Sequence, residues 1–147
     1  LIFGKTRKTG VSALVALVFG FLFTNIILKN VVARGRPFAD ATSEFYVVWK
    51  AAGSLTESGY SFPSGHSLCC FEAATALAMN RTRWAIPAYV GAVLVAVSRL
   101  FLFVHYPTDV ICGALLGVLF GVLGSLAAGA IYDRVCANIA ASKKTPA

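Results

Sequence analysis

Charged residues are scarce in this chain of 147 residues. They make up 13% of it, against roughly 25% in soluble globular domains. Hydrophobic residues make up 58%. This balance excludes an ordinary soluble domain and predicts a membrane protein.

Acidic residues are the rarer of the two charged classes. Six Asp and Glu stand against thirteen Lys and Arg, which gives a formal net charge of +7. A basic chain can bind nucleic acid, an anionic lipid or an anionic substrate. In a chain this apolar we expect membrane lipids and an anionic substrate as partners, and no nucleic acid.

Cysteines are also few and lack the paired C-x2-C spacing of metal sites. They are Cys69, Cys70, Cys112 and Cys136. We expect them to be reduced packing residues, with neither disulfides nor a metal. No repeat or linker divides the chain, so residues 1–147 are predicted to form a single domain. The chain begins at Leu1, with "LIFG" before a basic "KTRK", which indicates a fragment or a processed chain without a signal peptide.

Long apolar segments are abundant. A bilayer core requires about 20 apolar residues of helix, and four segments approach that length. They are Gly10–Lys29, Ser64–Met79, Trp84–Phe103 and Pro107–Tyr132. The sequence therefore predicts an all-α integral membrane helix bundle with four transmembrane spans in this chain. The last span carries a stripe of small residues that predicts a packing seam, namely Gly113, Gly117, Gly121 and Gly124.

The basic residues indicate the orientation of the four spans. Eight lie on the side of the termini and five on the opposite side, so the termini are expected in the cytoplasm. The long connection of residues 31–63 then lies outside the cell. Its stretch "EFYVVWKAAG" predicts a short helix at the membrane interface, which either anchors the connection or forms a lid over a substrate.

Polar side chains collect near the outer ends of the spans, and both histidines are among them. They are Lys29, Arg34, Arg36, Ser64, His66, Ser98, Arg99, His105 and Asp109. Single cations at span ends usually reach to the interface, but clustered arginine and lysine side chains also fit a phosphate dianion. The first N–H groups of a helix at "PSGHS" would add donors, although a Ser-Gly pair can simply cap a helix.

The His105–Asp109 pair and two polar residues inside the spans raise separate questions. Asp109 follows His105 by four residues, so its carboxylate can bind one ring nitrogen and leave the other free to react. Such a pair is structural about as often as catalytic, and the nearby cations favour catalysis. Glu72 and Asn25 lie inside apolar spans, where we expect a neutral, hydrogen-bonded carboxyl group and an amide that bridges helices.

Three motifs occur in order along the chain. They are "KNVVARGRP" (K-x6-R-P), "PSGH" and "SRLFLFVHYPTD" (S-R-x5-H-x3-D). In these motifs the chain resembles the type 2 phosphatidic acid phosphatase superfamily, which includes lipid phosphate phosphatases, bacterial undecaprenyl pyrophosphate phosphatases and vanadium haloperoxidases. The resemblance runs from about residue 5 to residue 132. Membrane members usually have six spans, so the resemblance implies that two N-terminal helices are absent from this chain.

The resemblance implies a role for each matching residue. His105 resembles the nucleophile that forms a phosphohistidine, Asp109 its orienting partner, and His66 the general acid that protonates the leaving oxygen. The residues that resemble phosphate ligands are Lys29, Arg36, Ser64, Gly65 and Arg99. Arg34 lies inside the x6 gap and receives no role. No metal or other cofactor is implied.

The sequence thus favours a metal-independent lipid phosphatase with its active site at the extracytoplasmic face of a bacterial cytoplasmic membrane. Its expected substrate is a lipid phosphate or pyrophosphate of the undecaprenyl pyrophosphate, phosphatidic acid or phosphatidylglycerophosphate class. One alternative is a vanadate-dependent haloperoxidase-like enzyme, against which the apolar spans argue. The other is a non-catalytic membrane module that binds an anion or a lipid. The lipid and the oligomeric state stay open.

Overall fold

The computed structural model describes residues 4–142, and it describes side chains over residues 7–135 and at 138 and 139. Within this part of the chain, all regular secondary structure is helical, so the all-α prediction is confirmed. The helices are α1 (Gly4–Leu22), a π-helical segment (Phe23–Leu28), α2 (Lys29–Val32), α3 (Glu44–Ala51), α4 (Gly65–Met79), α5 (Ala85–Phe101) and α6 (Pro107–Ser142).

Two helical stretches are long and apolar enough to cross a membrane. They are Arg7–Val32, which joins α1 to α2 through the π-helical segment, and Pro107–Val135 in α6. Helix α5 is apolar but shorter, and α4 has 15 residues. Two of the four predicted spans therefore have the required length, and the other two stay a prediction.

Large apolar side chains cover the outer surface of these helices. Several of them are more than 60% exposed, among them Phe19, Ile86, Leu94, Phe101 and Leu115. Exposed apolar surface on this scale marks an interaction with lipid or with another protein. It agrees with the membrane prediction made from composition.

Local sequence determines the helix ends near the polar layer. Ser64 caps α4, because its side chain accepts a hydrogen bond from the Ser67 N–H. Pro107 opens α6, a position where its missing N–H has no cost. Ala33 ends α2 in the left-handed conformation, with φ of 48°. These three ends bring residues of all three motifs to one end of the bundle.

Helix α4 occupies the centre of the bundle and packs against α1, α5 and α6. The residues in the core are small, and the buried alanines include Ala16, Ala74, Ala76, Ala92 and Ala128. Small side chains let helix backbones approach closely. Three of the cysteines, Cys69, Cys70 and Cys112, are free thiols, and the side chain of Cys136 lies outside the described residues.

The glycine stripe of α6 lies in close contact with two neighbouring helices. A Cβ atom at Gly113 would lie 2.5 Å from a main-chain carbonyl oxygen at the start of α4, and one at Gly117 would overlap the Leu68 carbonyl oxygen. Gly121 approaches α4 in the same way, and Gly124 approaches α1. The predicted packing seam is therefore confirmed, and it joins helices within one chain.

The connection between α2 and α4 carries α3, which confirms the predicted short helix. Trp49 of α3 is buried and stacks on Phe38 with ring centroids 4.8 Å apart. Its indole Nε1 donates to the Leu55 carbonyl oxygen at 2.8 Å. These contacts hold residues 53–60, which follow α3, over the end of the bundle.

Two polar residues inside the helices differ from the prediction. Asn25 Nδ2 donates to the Phe21 carbonyl oxygen of its own helix at 3.1 Å, so it does not bridge helices. Glu72 is fully buried against Gly20. Its carboxyl oxygens have no hydrogen-bond partner among the described residues, so the expected hydrogen bond is wrong. Both outcomes depend on side-chain rotamers that sequence spacing does not reveal.

Gly117→Ala is expected to destabilise the bundle, because the added methyl group would collide with the Leu68 carbonyl oxygen. Overpacking of this kind typically costs about 1–3 kcal/mol. Gly91→Ala is the control, since its methyl group would enter open space and would favour the helix by up to about 1 kcal/mol. Thermal unfolding in detergent compares the two variants. Equal melting temperatures would contradict the importance of the seam.

Candidate active site

The polar layer surrounds a cavity of about 570 Å³ where α2, the N-terminus of α4 and the α5–α6 connection meet. Five of the predicted site residues line it. They are Lys29, Arg36, Gly65, His66 and His105. Residues Thr56, Glu57 and Ser58 of the long connection line it from the other side. All three sequence motifs therefore contribute to one cavity.

The other three predicted residues lie in the wall behind it. Arg99 is half-buried, and its Nη1 contacts the Glu57 carboxylate at 3.2 Å. Asp109 and Ser64 are fully buried. Two of the three predicted cations, Lys29 and Arg36, line the cavity, and the third, Arg99, reaches its edge through Glu57.

Glu57, which the sequence analysis did not single out, is the central residue of this cluster. Its Oε2 lies 2.8 Å from Arg36 Nη1 and 3.3 Å from His105 Nε2. Its Oε1 lies 3.2 Å from Arg99 Nη1 and 3.5 Å from His66 Nδ1. The scarcity of acids beside so many cations was the available signal, since clustered cations need a counter-charge.

The ring of His105 is held in one orientation. Its Nδ1 is 2.8 Å from the main-chain carbonyl oxygen of Ser61, and the side chain is almost fully buried. A carbonyl oxygen only accepts hydrogen bonds, so Nδ1 must carry the proton. Asp109 Oδ2 lies 3.7 Å from Nδ1, which is an ion-pair contact. The hydrogen bond expected from Asp109 is therefore made by Ser61 instead.

Asp109 is positioned by groups other than histidine. Its Oδ1 accepts from Arg34 Nη1 at 2.8 Å, and its Oδ2 accepts from the Tyr106 N–H at 2.9 Å. The Arg34 guanidinium also donates to Thr108 Oγ1 at 2.6 Å and lies 3.9 Å from the centre of the Tyr106 ring. Arg34, which had no role from sequence, neutralises and fixes the carboxylate behind His105.

Ser64 links two of the motifs through the main chain. Its N–H donates to the Asp109 carbonyl oxygen at 3.0 Å, and its Oγ accepts from Ser67 Oγ at 3.0 Å. Ser64 therefore caps α4, and it is not among the described residues that line the cavity. Gly65, the first residue of α4, lines the cavity. The unpaired N–H groups at the N-terminus of α4 therefore lie beside it.

The carboxylates and the imidazole affect one another's pKa. Contact with the His105 ring and with Arg36 lowers the pKa of Glu57 to about 2, although partial burial opposes this. Burial would lower the pKa of His105, but the nearby carboxylates Asp109 and Glu57 outweigh it and raise the pKa above the ordinary value. Glu57 is therefore negatively charged throughout the physiological range.

Among the described residues, Glu57, His66 and His105 form a group that could hold a metal ion, since their ligand atoms lie within 4.8 Å of one another. Two arginines contact the same carboxylate, and positive charge there disfavours a further cation. The N–H donors of Arg36 and Arg99 suit the oxygen atoms of a bound anion better than they suit a nearby metal ion.

Comparison with known proteins supports the motif assignment. The model of the PAP2 superfamily matches residues 9–133. An undecaprenyl-diphosphatase of Sulfolobus acidocaldarius is 36% identical over 80% of this chain and 54% of its own length. Phosphatidylglycerophosphatase B of Bacillus subtilis is 38% identical over 77% of this chain and 56% of its own length. No solved structure gives a significant match.

A third relative extends the range of lipids named. Lipid A 1-phosphatase of Rhizobium etli is 32% identical over 88% of this chain and 57% of its own length. The chain thus spans about half the length of the curated relatives it matches. Since the family model covers most of the chain and the three motifs meet in one cavity, the chain belongs to the PAP2 superfamily.

Proposed function

We propose that this protein hydrolyses a lipid phosphate or pyrophosphate through a phosphohistidine intermediate. The observation that carries the proposal is the orientation of His105. Its Nδ1 is bound to the Ser61 carbonyl oxygen at 2.8 Å. The His105 side chain lines the same cavity as Lys29, Arg36 and His66. With Nδ1 bound to Ser61, Nε2 is the ring nitrogen that can attack phosphorus once it is unprotonated and no longer in contact with Glu57, which lies 3.3 Å away.

The surrounding charges support this chemistry. In phosphoryl transfer, negative charge is spread over three equatorial oxygens, so catalysis depends on electrostatic stabilisation and in-line placement. Lys29, Arg36 and Arg99 supply three positive charges around the cavity. Asp109 would stabilise the positive charge that develops on the His105 ring. Arg34 keeps this carboxylate in place at 2.8 Å.

The reaction has two steps, transfer of the phosphoryl group to His105 and its hydrolysis by water. In the first, His105 Nε2 forms a bond to phosphorus, the bond from phosphorus to the lipid oxygen breaks, and His66 gives its proton to that oxygen. In the second, water attacks phosphorus while His66 takes a proton from it, and the N–P bond breaks. The products from a lipid phosphate are the lipid alcohol and inorganic phosphate. A lipid pyrophosphate gives the lipid phosphate and inorganic phosphate. Both histidines return to their starting state.

The shape of the cavity supports a lipid substrate. An apolar groove of about 300 Å³ continues from it along α1 and shares Phe21 and Cys69 with it. The phosphate group would bind among the cations while a lipid tail follows this groove. The named relatives act on different lipids, all of which join a phosphate group to a long apolar part.

We also propose that all four apolar helices span the membrane, with the chain forming a single phosphatase domain. The exposed apolar residues of α5, such as Ile86 and Phe101, support a lipid-facing surface there. The distribution of basic residues supports an active site on the extracytoplasmic side of a bacterial cytoplasmic membrane.

His105→Ala should lower phosphate release by more than about 10³-fold, because the attacking atom is removed. Phosphate release is measured in detergent with undecaprenyl pyrophosphate, phosphatidic acid and phosphatidylglycerophosphate as substrates. The variant should still bind inorganic phosphate through its cations, which controls for folding. Full activity in the variant would contradict the phosphohistidine mechanism. If the unmodified protein binds phosphate but hydrolyses no lipid, the non-catalytic membrane module is favoured instead.

Excess EDTA should leave lipid phosphate hydrolysis unchanged, since three side-chain cations stabilise the transferred phosphate group. The assay compares rates before and after prolonged incubation with the chelator. Loss of activity that Zn²⁺ or Mg²⁺ restores would instead assign Glu57, His66 and His105 to a metal.

The pH dependence of kcat/KM should be bell-shaped, because attack needs neutral His105 and leaving-group protonation needs charged His66. The charged and titratable groups facing His105 are Glu57, Asp109, Arg36 and His66. The alkaline limb lies at the higher of the two pKa values that control the rate. Since the pKa of His105 is raised, this limb should lie above about 6.5, the ordinary imidazole value. Both limbs belong to the coupled pair. A rate with a single limb, in protein shown to stay folded, would contradict this.

A further inference from the structure

We propose that Glu57 is an internal competitor for the phosphate position: its carboxylate and the phosphate group of a substrate bind the same side chains in turn. The inference rests on the proposed function, because it assumes that these side chains bind phosphate. It assigns Glu57 a role that neither the motifs nor the relatives' names contain.

The contacts of Glu57 reproduce those expected for a phosphate. Arg36 and His105 bind Oε2 at 2.8 and 3.3 Å. Arg99 and His66 bind Oε1 at 3.2 and 3.5 Å. Both carboxylate oxygens thus contact one arginine and one histidine each. A planar anion with two oxygens satisfies the donors that a tetrahedral phosphate with three would satisfy more fully.

The position of Glu57 excludes phosphoryl transfer while it is bound. His105 Nε2 must approach phosphorus to about 3–3.5 Å, with its lone pair directed at that atom. Glu57 Oε2 already lies 3.3 Å from Nε2. A carboxylate oxygen and a phosphorus atom do not fit in the same place. The carboxylate must therefore withdraw before the histidine attacks.

Electrostatics favours the exchange. Lys29, Arg36 and Arg99 place three positive charges at the cavity, and Glu57 offsets one of them. A phosphate monoester carries about −1.5 to −2 charge and three acceptor oxygens at neutral pH. It therefore satisfies these cations better than one carboxylate does. Because contact with His105 and Arg36 keeps the pKa of Glu57 at about 2, the competitor is charged at every pH where the enzyme would work.

The main chain around Glu57 allows the side chain to leave without disturbing Arg36. The Arg36 Nε and Nη2 groups donate to the carbonyl oxygens of Gly59 and Ser58, each at 3.0 Å. Its Nη1 also donates to the Val104 carbonyl oxygen at 3.1 Å. These bonds hold the guanidinium in place when the carboxylate rotates away. Only the donor that faced Glu57 becomes available to phosphate.

The segment that carries Glu57 leaves room for that side chain to turn while its main chain stays in place. It lacks regular secondary structure, and Gly53 and Gly59 on either side of it have φ of 101° and 70°, a conformation that glycine adopts readily. Thr56 and Ser58 beside it are exposed. The Glu57 side chain therefore has solvent next to it into which it can turn.

The test measures phosphate binding rather than catalysis. Glu57→Gln keeps the size of the side chain and removes its charge, so the dissociation constant for inorganic phosphate should fall at least about tenfold if the carboxylate holds the site most of the time. Glu44→Gln is the matched control, since this exposed residue of α3 belongs to the same connection. Its phosphate affinity should be unchanged. Titration calorimetry in detergent with EDTA present gives both values and prevents trace metal from binding the carboxylate.

The shorter Glu57→Asp side chain provides a second variant if the first does not fold. It keeps the charge but reaches the arginines less well, so it should also bind phosphate more tightly than the unmodified protein. Phosphate affinity that is unchanged or weaker in both variants would overturn the inference and show that Glu57 orders the site instead.

Lipid hydrolysis by the unmodified protein separates this inference from the proposed function. Tighter phosphate binding in Glu57→Gln, with no hydrolysis of any lipid by the unmodified protein, would support the competition and reject the function. Hydrolysis by the unmodified protein, with no gain in phosphate affinity in the variants, would support the proposed function and reject the competition.

Discussion

Repulsion among like charges is the constraint on which the rest of this structure depends. Arg36 and Arg99 come from different segments of the chain, and both contact one carboxylate, that of Glu57. Beside an apolar bundle the cost of gathering cations is high, because solvent screens them poorly. A shared anion reduces this cost. The clustered arginines therefore need an anion beside them, and Glu57 supplies it in this structure.

Helix packing supplies the second requirement, a fixed distance between the two histidines. The glycines of α6 let it lie directly against α4. At the same end the Ser64 N–H reaches the Asp109 carbonyl oxygen at 3.0 Å. His66 and His105 are thus placed by main-chain contacts between two motifs. One ring nitrogen from each lies within 4.8 Å of the other, and both side chains line one cavity.

Sequence predicted the helical class, the glycine seam and five of the residues that line the cavity, because these depend on apolar periodicity and on residue types at fixed spacing. It did not predict the contacts made through long connections. The Ser61 carbonyl that binds His105 belongs to the main chain and has no signature in residue type. Arg34 and Glu57 find their partners 75 and 48 residues away, so only the folded chain shows these pairs. Glu72 without a hydrogen bond likewise follows from packing.

The main-chain bond between Ser64 and Asp109 also determines where the protein tolerates change. Because α4 begins at the site and ends at Met79, the turn at residues 80–84 lies at the far end of the bundle. Length variation in that turn leaves the register between the two motifs intact, since the register is set where α4 meets α6. The turn is therefore a suitable position for a fluorescent label or an inserted tag that reports on the protein without touching its chemistry.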